Sequence, residues 1–135
     1  MIRVLVTSSR TWDDGLYIVR VLDELLAEHG LLSLYHGACP SGGDAIADAW
    51  AVERQQAGAN VLVHRFPANW GNYGRAAGMR RNAEMVAAIG TGGPVRCEAF
   101  VRDESRGASH CVKLARRAGI DTRVHRWEDR AVSHA

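Results

Sequence analysis

The chain alternates five short strand-like runs, the first of them almost wholly apolar, with four helical patterns. The runs lie at 2–7, 31–35, 61–66, 96–101 and 121–127. Each is too short for a helix, and the near-continuous apolarity of 2–7 suits a strand covered on both faces. After the first run, Ile18, Val21, Leu22, Leu25 and Leu26 recur at helical spacing, and Gly30 closes the pattern. Further helices are predicted over 44–56, 75–89 and 109–118, with Gly119 as a C-cap. There is no internal repeat. The alternation predicts an α/β fold: a Rossmann-like, doubly wound parallel sheet of about five strands with right-handed crossovers. At 135 residues the chain is long enough for one core and too short for two. A single domain is expected over 1–127, with 128–135 as a loose tail.

Composition narrows the class. No apolar run approaches the ~20 residues of a membrane span, and no signal peptide is recognisable. Cys39, Cys97 and Cys111 form no Cys-x-x-Cys pair, which predicts reduced thiols in a cytoplasmic protein rather than a disulfide frame or zinc site. The six histidines lack metal-ligand spacing, so neither metal nor cofactor is expected. A net charge of +2 neither demands nor excludes an anionic partner.

In a doubly wound sheet, ligands bind outside the carboxyl ends of the strands. Ser8, Ser9 and Arg10 follow the first strand, and His36 to Asp44 the second. The Trp70 loop follows the third, and Arg102 to Gly107 the fourth. Four polar or glycine-bearing turns on one rim predict a pocket. In His36-Gly37-Ala38-Cys39-Pro40-Ser41-Gly42-Gly43-Asp44, a helix N-terminus offers amides to an anion. Gly42 and Gly43 would let a phosphate approach the backbone, so Gly43→Val is expected to remove binding and spare the fold. The plainer alternative is a tight turn with a Ser41–Asp44 capping box.

Single residues carry paired readings. The Ser8 and Ser9 hydroxyls contact phosphate or cap a helix. Arg10 holds phosphate with its fork or is a solvated charge. His36 is a ligand contact or a hydrogen-bonded sheet-edge residue, and Asp44 holds ribose hydroxyls or simply opens a helix. Arg81 shares a helical stripe with Gly78 and Met85, with Asn82 beside it, and reads as a ligand or subunit contact. Arg75 and Arg80 read as solvated. Ser105, Arg106 and Gly107 open the last helix as an anion-binding turn would, and Cys111 reads as structural. The stripe Gly78, Met79, Arg81, Met85 and Ile89, with the Trp70–Tyr73 loop, predicts a two-fold homodimer.

Several segments together resemble a known family. They are Thr7-Ser8-Ser9-Arg10-Thr11-Trp12, His36-Gly37 with Gly43-Asp44 and Trp50-Ala51, and Phe66-Pro67-Ala68-Asn69-Trp70. Gly74-Arg75-Ala76-Ala77-Gly78 with Arg81-Asn82 and Met85, and Ser105-Arg106-Gly107, complete the set. The set looks like the YspA-like branch of the SLOG superfamily, which includes the LONELY GUY phosphoribohydrolases and the DNA-processing protein DprA. The resemblance implies a Rossmann-like fold that binds a nucleotide or nucleotide-derived ligand. Residues 81–85 resemble the LONELY GUY Arg-Lys…Met segment, with Asn82 in the lysine's place, and 106–111 its Gly-rich turn, with Cys111 where that family carries its catalytic Glu. Binding is therefore the leading expectation. One alternative is an N-glycosidic hydrolase of nucleoside monophosphates, with Arg81 and Glu104 as catalytic candidates. Another is a DprA-like nucleic-acid-binding module, favoured by Arg102, Arg106, Lys113, Arg116, Arg117, Arg123, Arg126 and Arg130, between which acids are interspersed.

Overall fold

The computed structural model describes residues 1–130. Five strands run β1 (Ile2–Ser8), β2 (Leu32–His36), β3 (Val61–Arg65), β4 (Val95–Val101) and β5 (Asp121–Arg126). Every pairing is parallel, in the order β3-β2-β1-β4-β5. The helices are α1 (Gly15–His29), α2 (Gly43–Gln56), α3 (Trp70–Tyr73), α4 (Ala77–Ile89) and α5 (Arg106–Arg117). This is the parallel α/β architecture that the alternation predicts. The order reverses direction at β1, the topological switch point beside which such sheets open a ligand crevice.

Strand side chains alternate between the two faces, and each face has its own core. Val4, Val6, Leu32 and Leu34 pack with Ile18, Leu22 and Leu25 of α1 and with Ala47, Trp50 and Ala51 of α2. On the other face Leu5 and Cys97 meet Met85, Val86 and Ile89 of α4 and Cys111 and Ala115 of α5. Asp14 caps α1, its carboxylate accepting the Tyr17 amide at 3.2 Å, and Gly30 ends the helix in the left-handed conformation at φ 77°. Trp12 anchors the turn before α1. It is buried edge-on against Tyr17, Phe100 and Trp127, and its indole N–H donates to the Asp14 carbonyl at 3.0 Å.

Three segments differ from the sequence expectation. The stretch 67–74 is not a plain loop, because the Asn69 side chain caps the short helix α3 by accepting the Asn72 amide at 3.1 Å. A 3-10 turn over Gly74–Ala76 then delays the start of α4 to Ala77. The last helix begins at Arg106 rather than Ser109, because the Ser105 hydroxyl accepts the Ala108 amide and caps it there. Of the stretch 128–135 expected as a loose tail, Glu128 and Asp129 lie in a 3-10 turn. Arg130 pairs with Asp14 at 2.6 Å and stacks on Trp127. Residues 131–135 lie outside the described residues.

Candidate functional site

A cavity of about 690 Å³ opens at the carboxyl ends of the strands. Its walls come from Val6 to Thr11 at the end of β1 and just beyond it, Gly37 and Cys39 after β2, Trp70 and the start of α4 after β3, and Arg102 to Ala108 after β4. The volume lies within the roughly 300–1,000 Å³ typical of small-molecule sites. Among the sequence candidates, Ser8, Ser9, Arg10, Gly37, Asp44, Arg81, Asn82, Glu104, Ser105, Arg106 and Gly107 line it; His36, Gly42 and Gly43 do not.

The reason is that the first two turns interlock. The Gly43 amide donates to the Ser8 hydroxyl at 3.0 Å, and that hydroxyl donates to the Ser9 carbonyl at 2.9 Å. A Cβ on Gly43 would lie 2.5 Å from Ser8 Oγ and 3.3 Å from Ile18 Cδ1. One on Gly42, which has φ 74°, would lie 2.8 Å from Arg10 Cα. The two glycines admit the neighbouring loop, not a ligand. No Ser41–Asp44 capping box forms: Gly42 caps α2 without a side-chain hydrogen bond, and Asp44 turns back instead. Its Oδ2 accepts the amides of Gly37 at 3.1 Å and Cys39 at 3.4 Å.

His36 serves the same turn from behind. Its Nδ1 accepts the Ala38 amide at 3.0 Å, so Nε2 carries the proton and donates to Asp48 at 2.6 Å. Asp48 also accepts from Arg65, 2.6 Å from Nε, which holds its carboxyl below the usual carboxylate range. Ser9 is a strut as well, its buried hydroxyl accepting the Arg102 amide at 2.9 Å. Asn82 is buried and fully engaged: Oδ1 accepts from Arg81 Nε at 2.9 Å, while Nδ2 donates to the Gly107 carbonyl at 3.2 Å and to His110 Nδ1 at 3.3 Å.

Arg81 joins α4 to the turn after β2. Its Nη1 donates to the Gly37 carbonyl and, at 3.5 Å, to that of Phe66. Nη2 has no protein partner among the described residues and is open to the cavity. Arg10, Arg75 and Arg106 also line the cavity, and none makes an ion pair or hydrogen bond among the described residues. Arg102 differs, being held by the Thr11 carbonyl at 3.0 Å and Asp13 at 3.3 Å, beneath the Trp127 ring. The first-turn amides of Arg106 and Gly107 likewise find no protein acceptor among the described residues, whereas the Gly43 amide of α2 is taken. Each helix start thus has one of its first three amides taken, at Gly43 by Ser8 and at Ala108 by Ser105; what separates them is place, because Arg106 and Gly107 line the cavity and Gly42 and Gly43 do not.

The acidic groups divide. Asp103 and Glu104 line the cavity and are exposed. Asp44 is only 5% exposed; burial pushes its carboxyl up, against the pull of His36 and Arg81. Cys39 stands beside it, and burial raises this thiol too. Cys111 lies under the site, fully buried, with its thiol pushed up to about 11 by burial, which removes it as a nucleophile or charged group. Among the described residues no cluster of His, Cys, Asp and Glu suits a metal.

The sequence places the Trp70 loop and the turn containing Cys39 on the predicted rim, but Trp70, Met79 and Cys39 are not among its ligand-contact candidates. Trp70 and Met79 are 52% and 57% exposed and give the cavity apolar surface. The aromatic density of 70–73, placed after a strand, was the available signal for Trp70. The stripe expected to bind a second subunit is split. Met85 and Ile89 are buried in the core under the sheet, and Gly78 faces the Trp70 ring, with Cη2 3.5 Å from where a Cβ would stand. No described helix is long and apolar enough to cross a membrane.

Comparison with known proteins agrees with this architecture. The profile of the YspA, cpYpsA-related SLOG family matches residues 2–73, which carry β1, both interlocked turns and Trp70. The gene 61 protein of Mycobacterium phage D29 is 42% identical over 122 residues, covering 89% of this chain and 93% of its own length. By the match over residues 2–73 the chain belongs to the YspA, cpYpsA-related SLOG family.

Proposed function

We propose that the protein binds a nucleotide or nucleotide-derived anion in the cavity at the carboxyl ends of β1, β2 and β4. One observation carries this reading: Arg10, Arg75, Arg106 and the free edge of Arg81 surround that cavity without protein partners among the described residues. Arginine forks match phosphate oxygens, and the amides of Arg106 and Gly107 lie at the positive end of α5 beside them. Asp44 adds a carboxylate that accepts from ligand hydroxyls. The test is a thermal-shift screen against AMP, ADP-ribose, NAD and inorganic phosphate, with Arg10→Glu and Arg106→Glu as controls. Binding raises the wild-type Tm, increasingly with the logarithm of ligand concentration above Kd, and leaves both variants unmoved. A duplex DNA arm separates the nucleic-acid reading: affinity for DNA that falls steeply with salt, with no response to free nucleotides, would replace this proposal.

Hydrolysis of the N-glycosidic bond is the second reading, and Asp44 favours it. Departure of the base builds positive charge on the sugar, which a nearby carboxylate stabilises. Cys111 cannot supply that charge. Glu104 is exposed and has no partner among the described residues to hold it in place. Asp44 is buried, held by two amides, and borders the cavity. Release of free adenine from AMP by the wild type, lost in Asp44→Asn, would establish it; binding without release supports the first reading.

A further inference from the structure

We propose that Trp70 is a stacking platform for a planar heterocyclic ring, so that the cavity selects phosphate esters carrying an aromatic base over bare sugar phosphates. The inference rests on the binding role proposed above and adds what decides between ligands at that site.

Trp70 is an unusual residue to leave in water. Trp12 and Trp50 are buried, whereas Trp70 is 52% exposed and lines the cavity. Its place is held on several sides. Asn69 caps α3, the Gly74 amide donates to the Trp70 carbonyl, and the ring packs against Gly78 in the first turn of α4. Tyr73, from the same helix, is covered by the Arg80 guanidinium 4.0 Å from its ring centre, so the turn is pinned to α4 from both ends. The indole is therefore fixed while much of its surface stays open.

The cavity offers this ring together with donors. Trp70 and Met79 supply apolar surface, Arg75 lies between them in sequence, and Arg10, Arg106 and the first amides of α5 come from the turns after β1 and β4. A ligand that uses both has a flat apolar ring and an anionic group. Among the described residues that line the cavity, only Trp70 presents an extended aromatic surface; the other ring is the small His110 imidazole, which Asn82 engages. Stacking is tolerant of base identity because every base has a π-face. The platform thus sorts base-bearing from base-free esters and discriminates weakly among bases.

The experiment measures the affinities of AMP, CMP, ribose 5-phosphate and inorganic phosphate by calorimetry, with quenching of tryptophan fluorescence as a second readout. Wild type is compared with Trp70→Phe and Trp70→Ala. Stacking on one aromatic ring corresponds to a preference of AMP over ribose 5-phosphate of roughly 5- to 150-fold. Trp70→Phe retains most of that ratio. Trp70→Ala reduces it to within a few-fold of unity while leaving the affinity for ribose 5-phosphate unchanged. An AMP preference that persists in Trp70→Ala overturns the platform, as does equal wild-type binding of AMP and ribose 5-phosphate; in both cases the phosphate-binding role stands. If none of the four probes binds, that role fails and the platform with it. Light scattering covers the remaining occupant: a dimer that Trp70→Ala dissociates, with ligand ratios unmoved, assigns the ring to a second copy and overturns the proposal.

Discussion

The Gly43 amide donates to the Ser8 hydroxyl at 3.0 Å, which locks the turn after β1 to the start of α2 across 35 residues of sequence. A side chain at position 43 meets Ser8 before it meets any ligand. Gly43→Ala is therefore expected to destabilise the fold by about 1–3 kcal/mol, as overpacking does. Gly43→Val, expected from sequence alone to spare the fold, is expected to do worse. Urea denaturation checks this, and Ser8→Gly in the Gly43→Ala background should recover part of the loss by vacating the space.

Arg81 and Gly37 form the second joint. A Cβ on Gly37 would lie 2.7 Å from Arg81 Cζ, so Gly37→Ala pushes the guanidinium off its carbonyl. Gly37→Ala and Arg81→Ala should both weaken AMP binding, and the double variant should bind no worse than Arg81→Ala. That non-additivity, read by calorimetry in a double-mutant cycle, separates displacement of Arg81 from an independent defect in the turn.

Two carboxylates one turn apart on α2 respond to pH with opposite sign. The Arg65 guanidinium keeps the Asp48 carboxyl below its unfolded value of about 3.9, so its contribution is present above that value and lost as pH falls through the folded one. Burial raises Asp44, so its contribution is complete below the unfolded value and is lost as pH rises through the folded one. At pH 7, Asp44→Asn should match or exceed wild-type Tm while impairing ligand binding, and the margin should shrink on acidification. Asp48→Asn should lower Tm at pH 7 and flatten the acid limb. Thermal melts from pH 3 to pH 8 test both.

Thiol reactivity reports the same burial. With its thiol near 11, Cys111 holds only about one thiolate in a thousand at pH 8. Cys97 is equally buried and is raised by burial further still. Iodoacetamide at pH 8 should label Cys39 first, half-buried at the cavity, and reach Cys97 and Cys111 only in denaturant. Mass spectrometry of tryptic peptides assigns the order, and bound AMP should slow the Cys39 reaction.

The order of elements and the rim on which the site lies follow from local pattern. Apolar runs such as 2–7 and the spacing Ile18, Leu22, Leu25 are properties of neighbouring residues, and parallel topology comes with the alternation. Family membership was legible for the same reason, since its segments are short and contiguous. What each polar residue does was decided elsewhere. Ser8, Ser9, His36, Gly42 and Gly43 have the composition of a phosphate-binding turn, yet Ser8, Ser9 and the two glycines spend their hydrogen bonds and free space on partner loops, and His36 spends its ring on Ala38 of its own turn and on Asp48 of α2. The partner loops lie tens of residues away, at Gly43 for Ser8 and at Arg102 for Ser9. Donors face a ligand only where the folded neighbours leave them unpaired, as Arg10, Arg106 and one edge of Arg81 are left here. A hydroxyl or backbone amide has one proton to donate, and which acceptor comes within about 3 Å of it is set by how the loops pack rather than by residue type.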